Sequence, residues 1–344
     1  MICAMLKKII LPEFLTTLGN YVFAGCTNLS NITFPPQLSV IPEEAFRGCT
    51  SLNNVEITDS ICIIGNNAFN NCTKLSNIYF DNAISLIQIG AGAFSGCSVL
   101  AEILLPDNLQ SIGSAAFSGC VNLASITLPF IGASSDLELS PHFGYIFGAA
   151  QYDGAIEVVQ VLNGITQIYY IPEKMRTVNL IASEIIGEGA FSGCTMLSGI
   201  TIPTSVNRIC KDAFSGLLCL RSITINSTTP PIMELNALPN DINTVILVPD
   251  DMIPVYFSTQ AASWYDYRNK IYSLSSVINS YCIEDNVLIK YVGNNNTLTL
   301  PTNVTSIKDY AFYNFRDLIS INIPNTIISI GKYCFASDEV IDMM

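Results

Sequence analysis

Three kinds of residue in this 344-residue sequence are able to do chemistry: twelve cysteines, one histidine and 28 carboxylates. Structural zinc or thiol–disulfide exchange needs thiols paired as C-x-x-C, and no such pair occurs. His142 is the only histidine and has no serine or cysteine nucleophile motif beside it, so packing or loop hydrogen bonding is expected of it rather than catalysis. Gly90-Ala91-Gly92 and Gly187-Glu188-Gly189 look superficially like a dinucleotide loop. A phosphate cradle must lead into a helix, and neither does. The carboxylates are scattered without calcium-ligand spacing. The expectation is therefore no catalysis, no cofactor and no metal.

The cysteines are regular for another reason. Cys26, Cys49, Cys72, Cys97, Cys120 and Cys194 each stand three residues after a phenylalanine: Phe23, Phe46, Phe69, Phe94, Phe117 and Phe191. Phe214, Phe312 and Phe335 sit in the same frame with other residues in the cysteine slot. The phenylalanines recur every 23 residues within runs, stretched once to 25 between Phe69 and Phe94. An aliphatic residue precedes each by five, as Ile112 precedes Phe117. Leucine follows by six, as Leu123, and apolar residues follow by nine and eleven, as Ile126 and Leu128, often closed by a proline such as Pro129.

The segment after each phenylalanine thus reads L-x-x-I-x-I, the apolar frame of a leucine-rich repeat, at a length within that class. Its alternating half predicts a short strand with one buried face. The proline withdraws a ladder donor and ends the strand. The half around the phenylalanine is too short for a full helix and predicts a tight or single-turn helical corner. One repeat buries too little apolar surface to offset the ordering of 23 residues. Copies must stack, which predicts a β-rich, right-handed solenoid. Stacking also places the recurring cysteines in one buried column, with all twelve expected as free thiols.

Composition agrees with a packed repeat. Half of the residues are apolar and 12% are charged, with a net charge of −13 and no basic block. That disfavours nucleic acid, where Lys and Arg must displace counterions, and anionic membrane surfaces. No apolar run approaches the 18 or so residues of a membrane span.

In chain order, residues 1–129 form an array of repeats. Its first copy is partial: Cys3, Leu6, Ile9, Leu11 and Pro12 already occupy repeat slots. A signal-peptide reading of MICAMLKKIIL fails, because its lysines lie mid-stretch and its apolar residues belong to the repeat. The true start is expected upstream, or the chain is a segment of a longer protein. Residues 130–182 form an island rich in aromatics and glycine, with strand-like runs at 156–161 and 165–171. Two repeats return in 183–226. A second island spans 227–280, with a strand at 244–248, a short helix through Tyr256 capped by Asp250 or Asp251, and the only tryptophan, Trp264. Residues 281–344 are expected to pair strands 282–292 and 297–300, then carry the last repeats, the final one reaching Met344. Both ends fall mid-unit without a polar cap, which predicts self-association through them.

The unit I-G-x-x-A-F-x-x-C-x-x-L-x-x-I-x-I-P resembles the BspA-type leucine-rich repeats of bacterial surface proteins and some parasitic protists. The 130–182 island, with its HFGYIFG stretch, is similar to one found in such proteins from gut Firmicutes and mollicutes. The TPP…W…KI segment of the second island and the IEDNVLIKY stretch after it are likewise similar to segments between their repeats. The resemblance implies a secreted or surface-displayed protein that binds host matrix proteins, other bacteria or mucosal surfaces, through protein or glycan contacts. The alternative, favoured by the free thiols and the lack of an export signal, is an intracellular scaffold for protein partners.

Strand alternation points the residues eight and ten after each phenylalanine outward. They are small or polar except for Tyr79 and Leu104. Interface hot spots favour Trp, Tyr and Arg, so the sheet face with Tyr79 and Leu104 is an unremarkable candidate surface, and Tyr145, Tyr152, Tyr256, Trp264, Tyr265 and Tyr267 of the islands are better candidate contact residues. The competing role for the island aromatics is to pack the islands onto the solenoid.

Overall fold

A computed structural model describes residues 3–136, 141–239 and 244–337. The chain is a parallel β-solenoid of about twelve turns with few helices. The L-x-x-I-x-I segments make its principal sheet. Asn54–Glu56 pairs with Asn77–Tyr79. A seven-stranded sheet follows from Glu102–Leu104 through Ser125–Leu128, Thr177–Leu180, Gly199–Ile202, Ser222–Ile225 and Val245–Val248 to Ile271–Ser273. The register keeps each inward slot aligned, Val178 with Ile126 and Ile200 with Ile223. A second set of two-residue strands carries the aliphatic slot five before the phenylalanine, from Val40–Ile41 to Ser111–Ile112 and again from Ile185–Ile186 to Ile232–Met233.

The phenylalanine corners are tight turns, the first of the two forms expected, rather than single-turn helices. A helix would send each N–H back along its own turn. Here the residue two before and the residue two after each repeat phenylalanine from Phe23 to Phe312 are left-handed, as at Glu44 (φ 50°) and Gly48 (φ 72°) around Phe46. This alternation aims every second N–H along the solenoid. Glu44, Phe46 and Gly48 donate to the carbonyls of Asn66, Ala68 and Asn70 in the next turn, at 2.9, 2.8 and 2.7 Å. The same three bonds recur from turn to turn, so peptide groups line up head to tail in columns parallel to the axis.

The phenylalanine rings stack beneath those columns. Phe46, Phe69, Phe94 and Phe117 follow one another at 5.3, 5.4 and 5.6 Å, with interplanar angles of 6°, 2° and 9°. The cysteine thiols form a second column. Cys49, Cys72, Cys97 and Cys120 each donate through Sγ to the carbonyl of the preceding turn's phenylalanine, at 3.2 to 3.4 Å. All twelve cysteines are unpaired with one another.

The first island supplies a full turn of the solenoid. Its strand Thr177–Leu180 sits between Ser125–Leu128 and Gly199–Ile202. Its corner is the 3₁₀ turn Phe143–Ile146, where Phe143 donates to Ala190 and packs against Phe147 and Phe191, each at 5.2 Å. The strand-like runs form an antiparallel hairpin, Ala155–Leu162 with Ile165–Pro172. Leu137 to Ser140 of this island, and the continuation of the last repeat to Met344, lie outside the described residues.

The second island ends the first stack. Tyr256 and Trp264 plug its interior, ring to ring at 4.9 Å. A single-turn helix, Ile253–Tyr256, does form, but neither aspartate caps it. Asp250 accepts instead from the Ser275 N–H and the Ser273 hydroxyl. Tyr281–Glu284 then pairs antiparallel with Val287–Tyr291, while Thr297–Thr299 pairs in parallel with Ser320–Asn322 rather than with its sequence neighbour. Tyr291 takes the first ring slot of a second stack, against Phe312 at 6.0 Å, with Phe335 beyond. This second core is separate from the first, so the solenoid interior comes in two parts. The break falls where Trp264 and Tyr256 replace the repeat frame.

Candidate interaction surface

The outward slots of the principal sheet form a shallow polar face. Asn77 donates to the Asn54 side chain on the neighbouring turn at 2.8 Å. Tyr79 and Leu104 end the strands of neighbouring turns, which lie side by side without a strand pairing, and are 47% and 61% exposed. They flank a groove of about 300 Å³ with Asn77, Asp81, Glu102 and Pro106. These two residues, the large apolar exceptions among the outward slots, thus line one groove.

The island aromatics divide. Tyr145 is half-buried on the 3₁₀ turn and opens onto a broad cleft of about 470 Å³ with His142, Ile165 and Gln167. Tyr265 is exposed and lies under the Arg268 guanidinium at 4.0 Å. Tyr152 donates to the Tyr170 carbonyl at 3.0 Å, and burial raises its phenol above the ordinary range. Tyr267 donates to Leu238 at 3.2 Å and is likewise raised, by burial and then by Asp266. Tyr256 and Trp264 are fully buried, which corrects their place among the contact candidates. Their polar tips are spent on backbone, the Tyr256 hydroxyl on Ser227 and the Trp264 N–H on Pro231. A lone Trp among tyrosines is the sequence signature of a hot spot and of a core plug alike.

His142 is buried edge-on against Tyr169, with ring centroids 5.9 Å apart. Burial holds its imidazole below the usual range, so it stays neutral and packs. The two Gly-x-Gly stretches form phenylalanine corners, Gly92 and Gly189 taking the left-handed slot. Among the described residues no group of three or more His, Cys, Asp or Glu side chains is placed to hold a metal. No described helix is long and apolar enough to cross a membrane.

Sequence reading missed a further site, where the second stack folds back onto the first. Arg176 pairs with Asp317 through two nitrogens at 3.1 Å. The Asn294 side-chain oxygen accepts from Ser198 and Arg221. Arg221 also donates to the Gly293 carbonyl at 2.6 Å and lies 4.5 Å over the Phe315 ring. Burial pushes its guanidinium down to about 10. A small apolar cluster joins Val245, Leu247 and Tyr272 to Cys282 and Ile289 of the following hairpin. The contacts bridge 70 to 140 residues of chain, and no local pattern announces them.

The chain resembles known proteins at two levels. The model of the BspA type leucine rich repeat region matches residues 1–88, 83–135, 165–238 and 271–343, in six copies. Similar solved structures include a leucine-rich repeat protein from Bacteroides ovatus, 18% identical, covering 97% of this chain and 78% of that one, with a TM-score of 0.38. A leucine rich cell surface protein from Faecalibacterium prausnitzii is 20% identical over 90% of this chain and 69% of its own, with a TM-score of 0.34. The leucine rich repeat protein of T. pallidum is 24% identical over 65% and 77%, with a TM-score of 0.30. No curated protein matches the sequence. The family match takes in most of the chain, and its phenylalanine, leucine and isoleucine slots are the ones the structure buries. The chain belongs to the BspA-type leucine-rich repeat family.

Proposed function

We propose that this chain is a non-catalytic adhesion module, displayed at a bacterial surface, that binds a host or bacterial surface protein or glycan. The observation that carries the reading is the exposed Tyr79–Leu104 pair on an otherwise small and polar sheet face. Tyr145 and Tyr265 extend the candidate surface. Aromatic anchors ringed by polar groups are what protein and glycan contacts use. The name of the F. prausnitzii neighbour, a cell surface protein, supports the placement.

The test is binding of the purified chain to immobilised extracellular matrix proteins and mucosal glycans, with and without the double change Tyr79→Ser and Leu104→Ser. Both side chains are exposed, so the melting temperature is expected to hold. Binding is expected to fall about a hundredfold, near 2.7 kcal/mol. Unchanged binding by the variant would remove the sheet face from the account.

The twelve free thiols favour a second reading, an intracellular scaffold for protein partners, because reduced cysteines persist in the cytosol. Surface labelling of intact cells separates the two, since a displayed protein labels and a scaffold does not. We further propose that copies associate through apolar rims, Ile10 and Phe14 on one and Ile328 and Phe335 on the other, all exposed. Sedimentation should then depend on concentration, and a sharp monomer throughout would refute it.

A further inference from the structure

The principal sheet of the first array is broken at one seam. Asn54–Glu56 pairs with Asn77–Tyr79, and Glu102–Leu104 pairs with Ser125–Leu128, but Asn77–Tyr79 does not pair with Glu102–Leu104. One turn further on, Ala124 and Ser125 donate to the Ala101 carbonyl at 2.8 and 3.3 Å. At the seam no backbone hydrogen bond joins 76–80 to 101–105. The cause is legible in the spacing. From the last inward slot of the strand to the next aliphatic slot is seven residues at Ile57–Ile64 and at Leu105–Ile112, but nine at Phe80–Ile89. The longer loop no longer holds the two strands in step, and the groove between Tyr79 and Leu104 lies where they part. We propose, building on the sheet-face reading above, that this groove binds an extended, basic segment of a protein partner, with the pattern basic-x-apolar-x-basic.

Charge selects the class of partner. Glu102 stands two residues before Leu104, and Asp81 two residues after Tyr79, so a carboxylate marks each end of the apolar pair. Strand register adds Glu56 beside Tyr79. All three carboxylates are exposed and form no ion pair among the described residues. No Lys or Arg lines the groove.

Spacing selects the shape. An extended chain rises about 3.3 Å per residue, so side chains on one of its faces recur at about 6.6 Å. The same two-residue step leads from the apolar pair to either carboxylate. A ligand side chain seated between Tyr79 and Leu104 therefore carries cations two residues away onto Glu102 and Asp81. Surface ion pairs are individually weak, so the apolar anchor supplies the affinity and the carboxylates choose the partner. A neutral glycan leaves those carboxylates unused, and an acidic one is repelled.

Fluorescence anisotropy on the whole chain tests this, with a labelled peptide of core KSFSK against ESFSE and KSSSK peptides and a neutral mucosal glycan. KSFSK is expected to bind saturably at one site, the other peptides at least about tenfold more weakly, and the glycan not to compete. Asp81→Asn combined with Glu102→Gln, both at the surface, should weaken KSFSK about tenfold or more with the melting temperature unchanged. Salt at about 1 M, where the screening length falls to about 3 Å, should weaken it too. Absence of saturable KSFSK binding, equal binding of ESFSE, competition by the glycan, or an unchanged affinity in the Asp81→Asn, Glu102→Gln variant would overturn the basic partner. The adhesion reading fails separately, when Tyr79→Ser with Leu104→Ser leaves binding to matrix proteins and glycans intact. If that variant loses such binding while KSFSK never binds, the sheet face stands and the basic partner falls.

Discussion

Raising the pH from about 9 toward 11 is expected to unfold this protein under reducing conditions. Burial, joined at Cys49 by the neighbouring Cys26 thiol and at Cys282 by Glu284, pushes Cys49, Cys120 and Cys282 up to about 12 from an ordinary 9.0. Cys72, Cys97 and Cys194 are raised by burial as well. The unfolded thiol releases its proton near 9 while the folded one keeps it, so above that point the unfolded state binds fewer protons and gains. Stability is fully present below 9 and drains as the pH climbs toward 12. Each thiol contributes about 1.4 kcal/mol per pH unit, and six together about 8. That rivals the whole stability of a domain, about 5–15 kcal/mol. Urea unfolding at stepped pH measures the slope. Each Cys→Ala change in the column should flatten it by about 1.4 kcal/mol per unit. A stability that stays level to pH 11 would mean the thiols are not enclosed.

Phe94→Ala should cost about 3–5 kcal/mol in urea unfolding, the loss expected for an emptied aromatic core site. Phe94 is fully buried between Phe69 and Phe117, and two stacked contacts go with the ring, each worth about 0.5–1.5 kcal/mol. Phe335 holds the same slot but is 45% exposed and touches one ring, Phe312. Phe335→Ala should therefore cost less than half as much. Because each turn contacts only its neighbours, the damage from Phe94→Ala should stay local. Amide exchange should accelerate in the turns around 69–117 and remain slow in the stack that holds Phe312. Uniform acceleration through both stacks would show a single cooperative core instead of two.

The inward slots were legible because burial imposes them on every copy. Leu29, Leu52, Leu75, Leu100 and Leu123 are all fully buried six residues past their phenylalanine. The corner geometry was not legible. Its left-handed slot two before the phenylalanine is filled by Tyr21, Glu44, Asn67, Ala115 and Asp212 as well as by Gly92 and Gly189, so no one residue type marks it. The column of axial hydrogen bonds supports that backbone, and side-chain type carries little of it. The first island hid a full turn because Val178 and Leu180 keep the strand slots while Phe143 and Phe147 replace the usual corner. Tyr291 was missed as a ring-slot residue for a similar reason: a hairpin, not a repeat, delivers it. The Arg176–Asp317 and Arg221–Asn294 contacts depend on how two stacks meet, which no residue pattern within either one encodes.

Peptide-resolved alkylation of the native protein at neutral pH probes most directly whether successive turns enclose a common interior. Cys3, Cys62, Cys210 and Cys219 should react promptly, while Cys49, Cys72, Cys97, Cys120 and Cys194 wait for global unfolding, after which all twelve thiols titrate. Prompt labelling along that column, or disulfides between its members, would contradict the packing on which every other inference rests.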